Sequence, residues 1–174
     1  APHAAAVARA ITPPIAQPGT PGTTGSPPRT GAVPERIADA SPVGPRHAPF
    51  RVLFGSSVGT CQEVAVQVAE LARRAGFEPQ LLGLDEGMQP WPTEGWLVIV
   101  TATYNGRAPD NARRLEALLD AGAGADWRAP ALRYAVLGCG NSQWPAYQAF
   151  PKRVADRLAA SGAQALLARA EADG

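Results

Sequence analysis

The sequence predicts a doubly wound α/β domain built on a parallel sheet and preceded by a long irregular tail. Three observations carry that reading. Short apolar runs alternate with segments whose apolar residues recur at helical spacing. One run, Trp96-Leu97-Val98-Ile99-Val100-Thr101, is apolar on both faces, as a central parallel strand covered by helices must be. Three runs lead straight into loops that combine glycine, hydroxyl and aromatic residues, and open α/β sheets bind ligands at the carboxyl ends of their strands.

Residues 1–49 hold eleven of the eighteen prolines and almost no large apolar side chains. Such a stretch cannot bury enough surface to offset its ordering entropy, so it is expected to be a disordered interdomain linker. It has neither an initiator Met nor the apolar core of a signal peptide, and a piece of a longer chain is expected. The folded domain is expected over residues 50–174.

Val52-Leu53-Phe54-Gly55 reads as the first strand. A helix follows, with apolar positions 61, 64, 65, 68, 71 and 72, running to about Arg74 and stopping at Gly76. Residues 77–84 supply a second short strand centred on Gln80-Leu81-Leu82. After the central strand, Asp110 begins a helix whose inward face is Ala112, Leu115, Leu118 and Leu119. Arg133-Tyr134-Ala135-Val136-Leu137 is the fourth strand. A helix from Tyr147 to about Ala160 buries Phe150, Val154 and Leu158, and Ala165-Leu166-Leu167-Ala168 is expected as the fifth strand. A domain of this kind normally closes with one more helix on the face of the first. The sequence ends at Gly174 before it, so apolar surface is expected to lie open there.

Right-handed crossovers put the three loops at one edge of the sheet. Ser56-Ser57-Val58-Gly59-Thr60 joins a strand to a helix start, where backbone N–H groups and the positive end of a helix dipole are available together with three hydroxyls. It contains no lysine or arginine. A triphosphate loop would need Gly-Lys-Ser/Thr where the chain has Gly59-Thr60-Cys61, and a dinucleotide fingerprint would need a third glycine. A terminal monophosphate held by neutral donors remains, beside the plainer reading of a hydroxyl-capped helix start. Ala102-Thr103-Tyr104-Asn105-Gly106 and Gly138-Cys139-Gly140-Asn141-Ser142-Gln143-Trp144 add two aromatic-bearing walls, suited to a planar ring carrying a polyol monophosphate.

Composition narrows the function further. Both histidines, His3 and His47, precede the first strand, so the domain has no imidazole for acid–base, metal or haem chemistry and is expected to work through a bound cofactor. A net charge of +1 argues against nucleic acid, and two cysteines form no disulfide framework. No run approaches a transmembrane helix, and a cytoplasmic location without membrane contact is expected.

At these residues the sequence resembles the flavodoxin-like FMN domains of diflavin reductases, most closely the bacterial fusions in which a haem-thiolate monooxygenase, a cytochrome P-450, carries its own NADPH reductase. The resemblance rests on the joint spacing of residues 52–60, of residues 98–106 with Pro109-Asp110-Asn111-Ala112, and of residues 138–141 with Trp144 and Tyr147-Gln148. It implies a five-stranded sheet in the order 2-1-3-4-5. It also implies that Ser56, Ser57, Val58, Gly59, Thr60 and Cys61 hold the FMN phosphate, the Cys61 thiol serving as packing. Thr103, Tyr104, Asn105 and Gly106 would line one side of the ring, Cys139, Gly140, Asn141 and Trp144 the other, and Ala146, Tyr147 and Gln148 would complete the pocket. The stretch between Trp144 and Tyr147 is one residue shorter than the family pattern.

In that family the FMN domain takes electrons from an FAD domain reduced by NADPH and passes them singly to a haem. The implied neighbours are a haem-thiolate domain on the N-terminal side and an FAD/NADPH domain on the C-terminal side. A flexible tether of some fifty residues spans ~40 Å and holds its partner at effective concentrations on the order of mM. Two other readings stand beside this one. The chain could be the FMN half of another diflavin enzyme, of the sulfite-reductase type or a free haemoprotein reductase, or it could be a non-redox binding module on the same fold. A receiver domain fits poorly, because it needs an Asp where the chain has Thr101-Ala102.

Overall fold

A computed structural model describes residues 48–143 and 146–173, without the side chains of residues 172 and 173. Most of the expected linker lies outside the described residues, as do Trp144 and Pro145.

The described chain is a parallel sheet covered on both faces. In order its elements are β1 (Phe50–Gly55), α1 (Thr60–Arg74), β2 (Gln80–Gly83), the one-turn α2 (Leu84–Gly87), β3 (Glu94–Ala102), a 3-10 turn at Asp110–Ala112, α3 (Arg113–Asp120), β4 (Ala131–Gly140), α4 (Ala149–Ala160), β5 (Gln164–Ala165) and β6 (Ala170–Asp173). The strand order is β2-β1-β3-β4-β5, with β6 also paired to β4. All the pairings are parallel. The expected order 2-1-3-4-5 is therefore present, and it places the ends of β1, β3 and β4 side by side.

β3 is buried at every position after Glu94, and its side chains alternate between two cores. Val98 and Val100 join Val52, Leu137 and the inward face of α1, where Cys61, Ala65, Val68, Ala69 and Ala72 are buried. Leu97 and Ile99 join Leu53, Val136 and the residues of α2, α3 and α4 on the opposite face, including Leu84, Leu115, Phe150, Val154 and Leu158. On the α1 face, the apolar surface expected to lie open is in part covered. Phe54, Leu81, Leu166 and Leu167 are half-buried there, while Val58 is 73% exposed.

Three local expectations are corrected. β4 does not stop at Leu137 but continues through Gly138, Cys139 and Gly140, because β6 pairs with residues 137–140 and supplies the ladder that a loop would lack. The fifth strand is not a single run over residues 165–168. β5 pairs with Arg133 and Tyr134, the chain leaves the sheet, and β6 returns beside Leu137–Gly140. On α3 the acidic Glu116 is buried at 3% exposure whereas Leu118 is only half-buried, since the carboxylate has partners inside the fold. Among the described residues no helix is long and apolar enough to cross a membrane.

Candidate functional site

The first loop turns into α1 through Gly59, whose φ of 97° is left-handed and suits glycine. Gly59 is the N-cap residue and no side chain caps the helix, so the plainer reading of a hydroxyl-capped helix start does not hold. The first helical bond runs from Glu63 N–H to the Gly59 carbonyl at 3.0 Å. The N–H groups of Thr60, Cys61 and Gln62 therefore have no partner within the helix.

The loop's hydroxyls are pinned as acceptors. Ser56 Oγ accepts from Gly59 N–H at 2.9 Å and Ser57 Oγ from Asp110 N–H at 3.1 Å. Each keeps its own O–H to donate to a phosphate oxygen. Asn111 fixes the loop from outside: its Oδ1 accepts from Ser56 N–H at 2.8 Å and its Nδ2 donates to the Phe54 carbonyl at 2.9 Å.

The second loop is a tight hairpin. Tyr104 and Arg107 exchange two backbone hydrogen bonds of 2.9 Å across Asn105 and Gly106, which sit at φ 50° and 76° as an Asn-Gly turn requires. Glu116 braces it from below. One carboxylate oxygen accepts from Ala108 N–H at 2.9 Å and the other from Arg107 Nε at 3.1 Å. Thr103 Oγ1 accepts from Phe150 N–H at 3.0 Å and so joins this loop to the start of α4.

Tyr104 reaches across to the first loop. It lines the smaller of two cavities beside Val58 and Thr60, and burial, the largest influence, raises its pKa above the usual phenol value.

At the third loop Gln148 Nε2 donates to the Gly138 carbonyl at 3.0 Å, and Gln148 Oε1 accepts from Arg169 at 2.8 Å. A Cβ at Gly138 would overlap that amide, so glycine is required by close approach. Asn141 Oδ1 accepts from Gln143 N–H at 2.9 Å.

Two adjoining cavities result. The larger, about 560 Å3, is lined by the second and third loops: Thr103, Asn105, Gly106, Cys139, Gly140, Asn141, Ala146, Tyr147 and Gln148. The smaller, about 330 Å3, is lined by Val58, Thr60, Cys61, Ala102, Thr103, Tyr104, Cys139, Gly140 and Asn141. Both volumes fall in the usual ~300–1,000 Å3 range of ligand pockets. The fold thus brings together all the expected site residues that are described, with Ser56, Ser57 and Gly59 forming the loop behind the smaller cavity. Tyr104 faces the smaller cavity and not the larger, and the Gln148 amide is engaged in the protein's own hydrogen bonds. Asn111, Glu116 and Arg169 were not foreseen as site residues. A buried carboxylate or amide announces itself only through partners distant in sequence. Asn111 alone carried a signal, as part of the Pro109-Asp110-Asn111-Ala112 segment.

The family model described as flavodoxin matches residues 52–174. Over 132 residues, or 74% of its length, the chain is 41% identical to a bifunctional cytochrome P450/NADPH–P450 reductase of Bacillus subtilis. Over 127 residues, 71% of its length, it is 32% identical to methionine synthase reductase of Caenorhabditis elegans. It spans only 12% of the first relative and 19% of the second. Among solved structures, a single-residue mutant of the flavodoxin from Pseudomonas aeruginosa superposes with a TM-score of 0.56 at 28% identity, covering 72% of this chain and 83% of that one.

Proposed function

The chain belongs to the flavodoxin family of FMN-binding electron carriers, and from that premise we propose that it is the FMN domain of a fused oxidoreductase, accepting electrons from an FAD domain reduced by NADPH and passing them singly to a haem-thiolate monooxygenase domain. The observation that carries the FMN reading is the convergence of three loops, at one sheet edge, around a cradle of backbone N–H groups and hydroxyls next to a pocket large enough for a flavin ring. The fusion with a monooxygenase is supported by the 41% identity to the Bacillus protein.

FMN, when bound, supplies a ring that takes up two electrons and releases them one at a time. The chain's own residues do the rest. The first loop, from Ser56 to Cys61, would hold the phosphate through N–H and O–H donors, with the positive end of α1 in place of a basic side chain. Thr103, Asn105 and Gly106 would face one side of the ring and Cys139, Gly140 and Asn141 the other. Tyr104 and Trp144 would supply aromatic surface, and Ala146, Tyr147 and Gln148 would complete the pocket. Residues 1–49 would tether the domain to its electron acceptor, which makes a weak docking surface sufficient.

The test is direct. The chain is mixed with FMN, freed of unbound flavin and examined in visible light; a yellow protein is expected, and a colourless one would sink the reading. Electron delivery is then measured by stopped flow against a haem-thiolate domain and against a methionine synthase. Faster transfer to the second acceptor would favour the other diflavin reading, which the similarity to methionine synthase reductase supports.

A further inference from the structure

The chain has two cysteines, and the fold brings them together. Cys61 stands in the first turn of α1 and Cys139 near the end of β4, so they meet only in the tertiary structure. Both belong to the apolar cluster on the α1 face, 1% and 7% exposed. Both line the smaller cavity beside Thr60 and Tyr104, and Cys139 also faces the larger one. Both are free thiols, and they share the same core cluster and the same cavity wall. Packing does not require this arrangement, because an alanine at either place would satisfy an apolar core. Two thiols on the wall of one cavity open to small solutes make a pair that a disulfide could join.

We propose that Cys61 and Cys139 form a redox-active dithiol, a modification site at which a peroxide converts the two thiols into one intramolecular disulfide. The Cys139 sulfur attacks a peroxide oxygen, the O–O bond breaks, and hydroxide leaves and is protonated to water, so that Cys139 becomes a sulfenic acid. The Cys61 sulfur then attacks the Cys139 sulfur. An S–S bond forms, the S–O bond breaks, and the Cys61 proton leaves with the hydroxyl as a second water. Two thiols lose two electrons and one peroxide gains them.

The order of attack follows from the environment. Cys139 lines both cavities and is 7% exposed, whereas Cys61 lines only the smaller and is 1% exposed, so a solute entering either cavity meets Cys139. Cys139 is thus the nucleophile and Cys61 the resolving thiol. The disulfide would tie the start of α1 to the end of β4, the two elements that carry the first and third loops. None of this depends on what the cavities hold.

The experiment treats the folded, flavin-free chain with one equivalent of hydrogen peroxide and measures intact mass, free thiols and non-reduced peptide maps. The expected result is a mass lower by two hydrogens, free thiols falling from two to none, and a peptide pair linked through Cys61 and Cys139, all reversed by dithiothreitol. Cys61→Ala, a small-for-small change on α1, should abolish the mass loss and leave Cys139 to gain oxygen. Retention of both thiols, gain of oxygen by the unsubstituted chain, or a disulfide between chains would each overturn the proposal. The peptide map of the unsubstituted chain decides the matter even if a variant fails to fold.

Discussion

Arg169 donates to Gln148 Oε1 at 2.8 Å, and the same amide donates through Nε2 to the Gly138 carbonyl at 3.0 Å. Gln148 therefore acts as a strut between the start of α4, the end of β4 and the segment joining β5 to β6. Arg169→Met would leave the amide oxygen without its partner, at a cost of ~1–3 kcal/mol for an unpaired buried acceptor. A lower melting temperature and weaker FMN binding are expected together, read by thermal melts and by quenching of flavin fluorescence. An unchanged FMN affinity would show that the strut does not shape the pocket.

Asn111 offers a sharper separation of effects. It bridges Phe54 and Ser56 behind the first loop and touches neither cavity. Asn111→Ala removes both bonds and is expected to weaken FMN by ~1–3 kcal/mol while leaving riboflavin, which lacks the phosphate, nearly unaffected. Equal losses for the two flavins, measured by titration, would argue against a phosphate role for the loop.

Tyr104 has two parts whose contributions can be divided. Tyr104→Phe deletes the hydroxyl but keeps the ring, whereas Tyr104→Ala removes both. If the ring stacks on the flavin, the alanine variant should bind more weakly than the phenylalanine variant by ~0.5–1.5 kcal/mol beyond the loss of burial. Trp144→Ala is expected to behave like Tyr104→Ala. Calorimetric titration of FMN into each variant provides the comparison.

Tyr134 predicts a dependence on pH. Burial, and secondarily the charge of Asp156, raises its pKa in the folded state. The unfolded phenol, with a value of ~10, then ionises first as pH rises. The folded state holds its proton longer, so this contribution to stability is present below pH ~10 and is lost as pH climbs through the higher folded value. Urea melts across this range should show a fall in stability that Tyr134→Phe makes shallower.

Gly138→Ala should be among the most damaging single changes in the domain. The added methyl would overlap the Gln148 amide, which can move aside only by giving up its bonds to the Gly138 carbonyl and to Arg169. A destabilisation of ~1–3 kcal/mol, as for overpacked cores, is expected in urea unfolding.

Much of the fold was legible because its signals are local. The continuous apolar run at 96–101 could only be a strand covered on both sides, and the α1 periodicity correctly assigned Cys61, Ala65, Val68 and Ala72 to its buried face. The Asn105-Gly106 turn follows from residues that tolerate positive φ. What escaped reading depends on distant partners. Cys139 looked like part of a loop until β6 supplied its ladder, and the fifth strand looked continuous because nothing in residues 164–173 shows where the chain leaves β4. Glu116 resembled any exposed helical acid until Arg107 and Ala108 met it.

The sequence by itself determined that three loops meet at one sheet edge, that the first offers hydroxyls and a helix start without a basic residue, and that neither histidine lies within residues 50–174. Those conclusions need only hydrophobic periodicity, glycine placement and the handedness of crossovers. Tertiary structure alone decided which side chains face the cavities and which hold the loops still: Gln148 as a strut, Asn111 and Glu116 as anchors, Tyr104 turned toward the first loop, and Cys61 against Cys139. A side chain's role depends on whether its polar atoms are already satisfied, and its partners here lie up to 57 positions away along the chain, from Phe54 to Asn111.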